Sequence, residues 1–420
     1  MAISHVLGAA RPRRLALAVG ATVALVTATA VPAGTTTHSG SGSAVLGTPN
    51  VAKGSVVTIG FMTDGESGSV NDISEVPAAQ AAAQYVNHYL DGVGGHVLSL
   101  DICDNNGTPA GTTDCANQFV ADKVAAGMFN VSANGAKFYA GLNAGNVPMV
   151  SFLSADTGTL SGKLAYGLTN ALSTWGGPAV VAKKVGAKHP ALILLAVPVV
   201  LGTASTLAPK IYAHVGISDQ DIVAVPPGTP DMTPQVQSAL SKGADFINII
   251  GDSGFCTTAL KAIRALDFKG TTTMTSSCIG SGTSTAIPNG YSGDKAITSE
   301  VNNVPSDQDV KVYKAAMAKY QPATNPYTVG NTPGAFGVVT SFARAMKGLS
   351  GAPTSANIEK AFATMPPTPL FFGHGATFQC NGKQVGVAPG LCSSGAVEET
   401  LNQAGNPVSI TSLNTSQVLK

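Results

Sequence analysis

Residues 56–65 read VVTIGFMTDG: seven β-favouring or apolar positions, 56–62, that stop at the turn signal Asp64-Gly65. An apolar run without alternation predicts a strand covered on both faces, as in a parallel sheet. The segments downstream of it agree. A helix is expected over 77–90, with Pro77 in its first turn. A strand is expected over 96–102, then a helix that Thr112 or Thr113 would cap, running to about 126. Next come a short strand at 128–131, a helix at 137–144 and a buried strand at 147–152. From Trp175 the alternation restarts, with helices at 175–185, 203–214, 233–241 and 257–266. Between them lie strands at 191–197, 221–225, 246–250 and 271–275. Two successive βα series predict an α/β protein with two doubly wound, Rossmann-like lobes. Later helices are expected from Ser306, with Asp309 three residues on in a box-like start, and over 335–346 and 355–363. A small hairpin is expected from 377–379 and 384–387, closed by Asn381-Gly382.

Composition narrows the function. The chain has 420 residues, and 24 Lys and Arg balance 23 Asp and Glu, for a net charge of +1. Charged residues are 11% and apolar ones 44%. That excludes charge-driven disorder and argues against a nucleic-acid binder, which would carry a basic footprint. Gly (48) and Pro (25) sum to about 17%, below the low-complexity range.

The first residues read as an address. Arg11, Arg13 and Arg14 precede an uncharged run over 15–31, and small residues end at Ala30 or Ala33. This is a secretory signal over 1–33; an uncleaved anchor is the alternative. Residues 34–54 are Gly/Ser/Thr-rich and expected to be a flexible linker. No Cys lies near the cleavage region, so no lipid anchor is expected. The protein is expected outside the cytoplasm, periplasmic or at the cell surface.

Six cysteines fall into local pairs: Cys103 and Cys115, Cys256 and Cys278, Cys380 and Cys392. An even count in an exported chain reads as disulfides. Six cysteines allow ~15 connectivities. Sequential pairing is favoured because each pair brackets a short loop between expected elements. No Cys-x-x-Cys spacing occurs, and the seven His are scattered, so no metal site or other cofactor is expected.

The order of motifs then becomes specific. VVTIGFMTDG, a Pro-started helix and GVGGHVLSLDICDN (92–105) are followed by a Cys-bearing helix. Asn130-Val131-Ser132-Ala133-Asn134 and VPMVSFLSAD (147–156) come next. From about 55 to 395 this resembles solute-binding proteins with the type I periplasmic binding fold. The branch resembled is the leucine/isoleucine/valine-binding proteins of ABC transporters. The resemblance implies two lobes joined by a three-stranded hinge, with ligand held between them. Lobe one would be 55–174 plus 301–348, lobe two 175–300 plus 349–397, and 398–420 a C-terminal tail.

Open α/β sheets bind ligands beyond the carboxyl ends of their strands, beside helix N-termini. Ser132, with Ala133 and Asn134, follows one such strand; in the family the matching Ser binds the ligand carboxylate. Ser154 and Ala155 follow another. The family often has a Thr where Ala155 stands, so Ser154 or Asp156 would substitute. Thr63, Asp64 and Glu66 follow the first strand and face the same cleft mouth.

Lobe two departs from the resemblance. The loop 198–202, with Leu201, is wholly apolar where the family offers an aromatic. Thr275-Ser276-Ser277-Cys278 carries no acid for a ligand ammonium, and Asp252 could supply one. A buried ammonium needs an anion, so Asp252, Asp64 or Glu66 takes that role or the ligand is not an ordinary amino acid. Trp175, at the first lobe crossing, would line the cleft or pack under the hinge.

Other motifs are set aside. Gly251-Asp252-Ser253-Gly254 spells a protease nucleophile signature but sits between a parallel strand and a helix. Gly92, Gly94 and Gly95 precede a strand, opposite to a dinucleotide loop. No Walker sequence occurs, so any transporter ATPase is another chain. The expectation is a non-enzymatic, monomeric capture protein that takes an amino acid, amide or related carboxylate to an ABC permease. A sensor using the same clamp, and less favoured a secreted hydrolase through Ser253, are the alternatives.

Overall fold

Strand β1 (Gly54–Thr63) is an interior strand of the first of two large sheets. Ile59, Phe61 and Met62 on it are fully buried, because the sheet has helices on both faces. The computed structural model describes residues 41–67, 70–280, 282–325 and 332–420. The expected signal segment and linker residues up to 40 lie outside them. β1 pairs in parallel with β2 (His96–Asp104) and β3 (Gly127–Phe129), and β4 (Met149–Ser151) and β5 (Ala165–Gly167) extend the sheet beyond β3. The order is β2-β1-β3-β4-β5. Helix α1 (Glu75–Tyr89) covers one face of this sheet, and α2 (Pro109–Ala121) and α3 (Gly135–Ala144) the other.

A short helix α4 (Thr157–Ser161) precedes β5, and α5 (Ser173–Val185) opens the second lobe. Its sheet has parallel strands β6 (Pro190–Leu195), β7 (Asp221–Val225), β8 (Phe246–Ile250), β9 (Thr271–Thr275) and β10 (Lys295–Thr298). The antiparallel β11 (Gly395–Leu401) and β12 (Pro407–Asn414) extend it beyond β10. Helices α6 (Pro198–Ala213), α7 (Thr233–Ser241) and α8 (Ser253–Ala265) connect the strands. The parallel part runs β7-β6-β8-β9-β10, repeating the order of the first sheet. Each order reverses between the first and third strands of its lobe, the switch point where such sheets open a crevice.

The expected strands and helices up to 364 are present, with shifted boundaries. α2 starts at Pro109, capped by Thr108, whose hydroxyl accepts from Gly111 N. α6 starts at Pro198 rather than 203. α9 (Gln308–Tyr320) is capped by Asp307, and Asp309 pairs with Arg344 at 3.0 Å instead of closing a capping box. α10 (Thr332–Ala345) and α11 (Ser355–Thr364) complete the helices.

Four expectations change. Residues 41–53 are not a loose linker: Ser41–Leu46 is helical, Leu46 is buried in the first-lobe core, and Ala52 N bonds Asn87 O at 2.9 Å. The segment 355–378, expected in lobe two, packs in lobe one. Phe362 stacks on Tyr166 at 4.2 Å between centroids, and Phe372 meets Tyr313 edge-on at 5.7 Å. The chain therefore crosses for the third time within 379–394. Residues 398–420 are no tail: they complete β11, form β12 and end with Leu419 buried in the second-lobe core. No hairpin joins 377–379 to 384–387; Thr377–Phe378 pairs with Thr368–Pro369.

The three crossings are 168–172, 299–307 and 379–394. The first and third run side by side, since Gly167 N bonds Gly390 O at 2.9 Å and Cys392 N bonds Gly167 O at 2.8 Å. The second is tied to the lobe-one segment ahead of the third crossing through Val301 N to Phe372 O at 2.8 Å. All six cysteines form the sequential disulfides Cys103–Cys115, Cys256–Cys278 and Cys380–Cys392. Among the described residues no helix is long and apolar enough to cross a membrane.

Candidate functional site

A cavity of about 470 Å³ lies where the strand ends of the two lobes meet. Lobe one lines it with Val131, Ser132 and Ala133 after β3 and with 153–156 after β4. The start of lobe two adds Ala171, Ser173 and Thr174, and its far wall is Ser276 after β9 and Ile297, Thr298 and Ser299 at the end of β10. Val131, Leu153 and Ala171 make the walls largely apolar, Ile297 lies buried behind them, and hydroxyls punctuate them. Asp156 is the one charged residue among the described lining residues.

The polar groups of lobe one form two bonded clusters. In the first, Ser132 Oγ donates to Asp64 Oδ1 at 2.8 Å and accepts from Asn134 N at 3.1 Å. Asn105 Nδ2 donates to the same Asp64 oxygen at 2.7 Å. Asp64 is only 4% exposed, so it lies behind Ser132 rather than on the cavity wall. Deeper still, Glu75 accepts from Asn130 Nδ2 at 2.7 Å and from Thr63 Oγ1 at 3.1 Å. Burial pushes the Glu75 carboxyl well above the usual range, against the pull of the Asn130 bond. In the second cluster, Asp156 caps α4 by accepting from Thr159 N at 3.0 Å and from Thr159 Oγ1 at 2.9 Å. It also accepts from Ser154 Oγ. Its carboxylate lies so close over Gly135 that a Cβ there would overlap it. The N-terminus of α3 thus faces a carboxylate of this same chain.

Of the residues singled out from sequence, Ser132, Ala133, Ser154, Ala155 and Ser276 line the cavity. Asp64 supports it from behind. Asn134 does not line it; its side chain bonds Gly107 O at 3.3 Å. Glu66 is exposed on the two-residue strand Glu66–Ser67, and Leu201 lies in the first turns of α6; neither lines the cavity. Asp252 caps α8, accepting from Phe255 N at 2.9 Å, and borders a separate cavity of about 250 Å³ beside 227–230. Trp175 is buried in the second-lobe core, under the first crossing.

Sequence reasoning missed Ala171, Ser173, Thr174 and 297–299. The only signal for them was their place at the first and second crossings. A larger cavity, about 680 Å³, opens at the amino ends of β9 and β10, around the Arg264–Asp294 pair at 2.6 Å. One lobe alone builds it, at the end of the sheet away from the helix N-termini that connect the strands. It is therefore not the crevice of the switch point.

A model of the periplasmic binding protein family matches residues 56–388. No curated protein matches the sequence. Among solved structures the chain is similar to the branched-chain amino acid transporter substrate binding protein LivJ from Streptococcus pneumoniae, in complex with isoleucine. That likeness has 18% identity and a TM-score of 0.60, over 86% of this chain and 99% of that one. It is similar as well to a solute binding protein of an ABC transporter from Rhodopseudomonas palustris HaA2, in complex with p-hydroxybenzoic acid. There the identity is 15% and the TM-score 0.63, over 86% of this chain and 98% of that one. The leucine binding protein LivK from Thermotoga maritima MSB8 gives 16% and 0.58, over 85% and 97%. At these identities the likeness establishes the two-lobed fold.

Proposed function

The chain belongs to the periplasmic binding protein family, and we propose that it captures one small solute between its lobes and hands it, unchanged, to the membrane permease of an ABC transporter. The observation that carries this is the composite wall of the cavity, with Ser132 and Ser154 on one lobe and Ser276 and Thr298 on the other. A ligand that touches both lobes has differential affinity for the closed state, and closure presents a joint surface of the lobes to a partner. Shifting such a clamp from 1:99 to 99:1 takes ~5.5 kcal/mol of that difference. Isoleucine and p-hydroxybenzoic acid, bound by the similar proteins, make amino acids and aromatic acids natural first solutes to try. Three disulfides suit an oxidising compartment outside the cytoplasm. No histidine lines the cavity among the described residues, and Ser253 sits in the first turn of α8, away from it. Capture without chemistry is the reading these placements support.

Thermal-shift screening of the exported part against amino acids, amides, amines, aromatic acids and sugars tests the proposal. A bound solute raises the melting temperature by linkage, about 2.7 kcal/mol at a hundred times its dissociation constant. The solute should be recovered intact by mass spectrometry. Turnover of any hit would contradict capture. Ser132→Ala is expected to shrink the ligand-induced shift and to lower the unliganded melting temperature by only a few degrees, since Asp64 keeps its bond to Asn105. An unaltered shift would remove Ser132 from the site.

A further inference from the structure

The polarity of the cavity points to the chemistry of its guest. Ser132 and Ser154 are its two lobe-one hydroxyls, and each gives its proton to a carboxylate, Ser132 to Asp64 and Ser154 to Asp156. A hydroxyl carries one proton. Toward the cavity both therefore offer lone pairs, with a negative charge one bond behind. No lysine, arginine or histidine lines the cavity among the described residues to offset those charges. The end of α3, which could hold a ligand anion, already faces the carboxylate of Asp156.

We propose that the cavity selects an organic ammonium with an apolar body and rejects carboxylates. This rests on reading the interlobe cavity as the solute site. The amino head would donate to Ser132 and Ser154 in the field of Asp64 and Asp156. The apolar body would lie against Val131, Leu153 and Ala171. A ligand carboxylate in the same place would meet two like charges and acceptors in place of donors, and burial would strengthen that repulsion.

Calorimetric titration of the exported part with 3-methylbutylamine and with 4-methylpentanoate, which share a branched apolar body, tests this. The amine is expected to bind at least about tenfold more tightly, with an affinity that falls as salt is added. Asp156→Asn keeps an acceptor oxygen for the α4 cap and should narrow or reverse the preference. Asp64→Asn should act in the same direction and serves if the first variant does not fold. Equal or tighter binding of the acid, or no binding of the amine, overturns the inference. A wider-screen hit that Ala133→Trp abolishes, where the amine fails, overturns amine selection and leaves the solute site standing. Amine binding indifferent to Ala133→Trp overturns the site itself.

Discussion

Replacing Phe336 by Ala is expected to cost about 3–5 kcal/mol of stability, the range for emptying a buried phenylalanine site. Phe336 is fully buried on α10. Its ring lies 5.9 Å from Tyr85 of α1, 5.3 Å from Tyr313 of α9 and 5.3 Å from Phe371, centroid to centroid. One side chain thus ties together three helices and the segment leading to the third crossing. Rigid aromatic neighbours from several elements cannot all collapse into the space, so the cavity term should be close to full. Urea unfolding should show a lower midpoint with an unchanged slope for the first lobe. A loss under about 1 kcal/mol would mean that the site relaxes freely and that the first-lobe core is not knit at this ring.

The second large effect is electrostatic. Glu300, in the second crossing, has its carboxyl pushed up to about 7 by burial and then by the charge of Glu399. Glu399, on β11, is pushed up to about 7 by burial, which the His374 imidazole partly offsets. Glu300 Oε2 has no hydrogen-bond partner.

Linkage fixes the sign. Below pH 4.5, the ordinary value, both carboxyls are protonated in folded and unfolded chains alike. As pH rises toward 7 the unfolded chain ionises while the folded one holds its protons, so stability falls across that window and levels off above it. From 4.5 to about 7 is 2.5 pH units, which at 1.36 kcal/mol each is about 3 kcal/mol for one group. Glu300→Gln should therefore match the parent near pH 4.5 and exceed it by about 1–3 kcal/mol at pH 8. Parallel stability curves for the two would show that Glu300 ionises freely in the fold.

That same pair explains part of what the sequence hid. β11 reads GAVEETL, and adjacent acids argue against a buried strand. Yet Glu398 is 3% and Glu399 4% exposed. Strand alternation sends them to opposite faces, Glu398 to Lys295 and Lys184, Glu399 towards His374. Only the fold reveals those partners. The runs 191–197 and 246–250 were legible because continuous apolar residues between helices have one cheap use, a parallel strand covered on both faces. Helix starts at Pro109 and Pro198 were placed late, because a proline reads as a breaker until its position at N1 is known.

The third crossing was not legible at 349. Phe362, Phe371 and Phe372 belong to lobe one through contacts far away in the chain, and no local period carries that. The lobe-one side of the cavity was readable from strand ends alone, which gave Ser132, Ala133, Ser154 and Ala155. Asp252, outside this cavity, shows that an acid after a strand serves as readily for a helix cap as for a ligand. The wall at 297–299 escaped because β10 supplies it just as the chain leaves the lobe.

Ala133 and Ser276 are both exposed and lie on opposite walls of the cavity, one in each lobe. A tryptophan at either position fills the space without disturbing a core. The deciding measurement is calorimetric titration of the parent, Ala133→Trp and Ser276→Trp with the strongest hit of the thermal-shift screen. A guest held between the lobes predicts one site per chain in the parent and a loss of at least about a hundredfold in each variant. Parent-like affinity in either variant would contradict it.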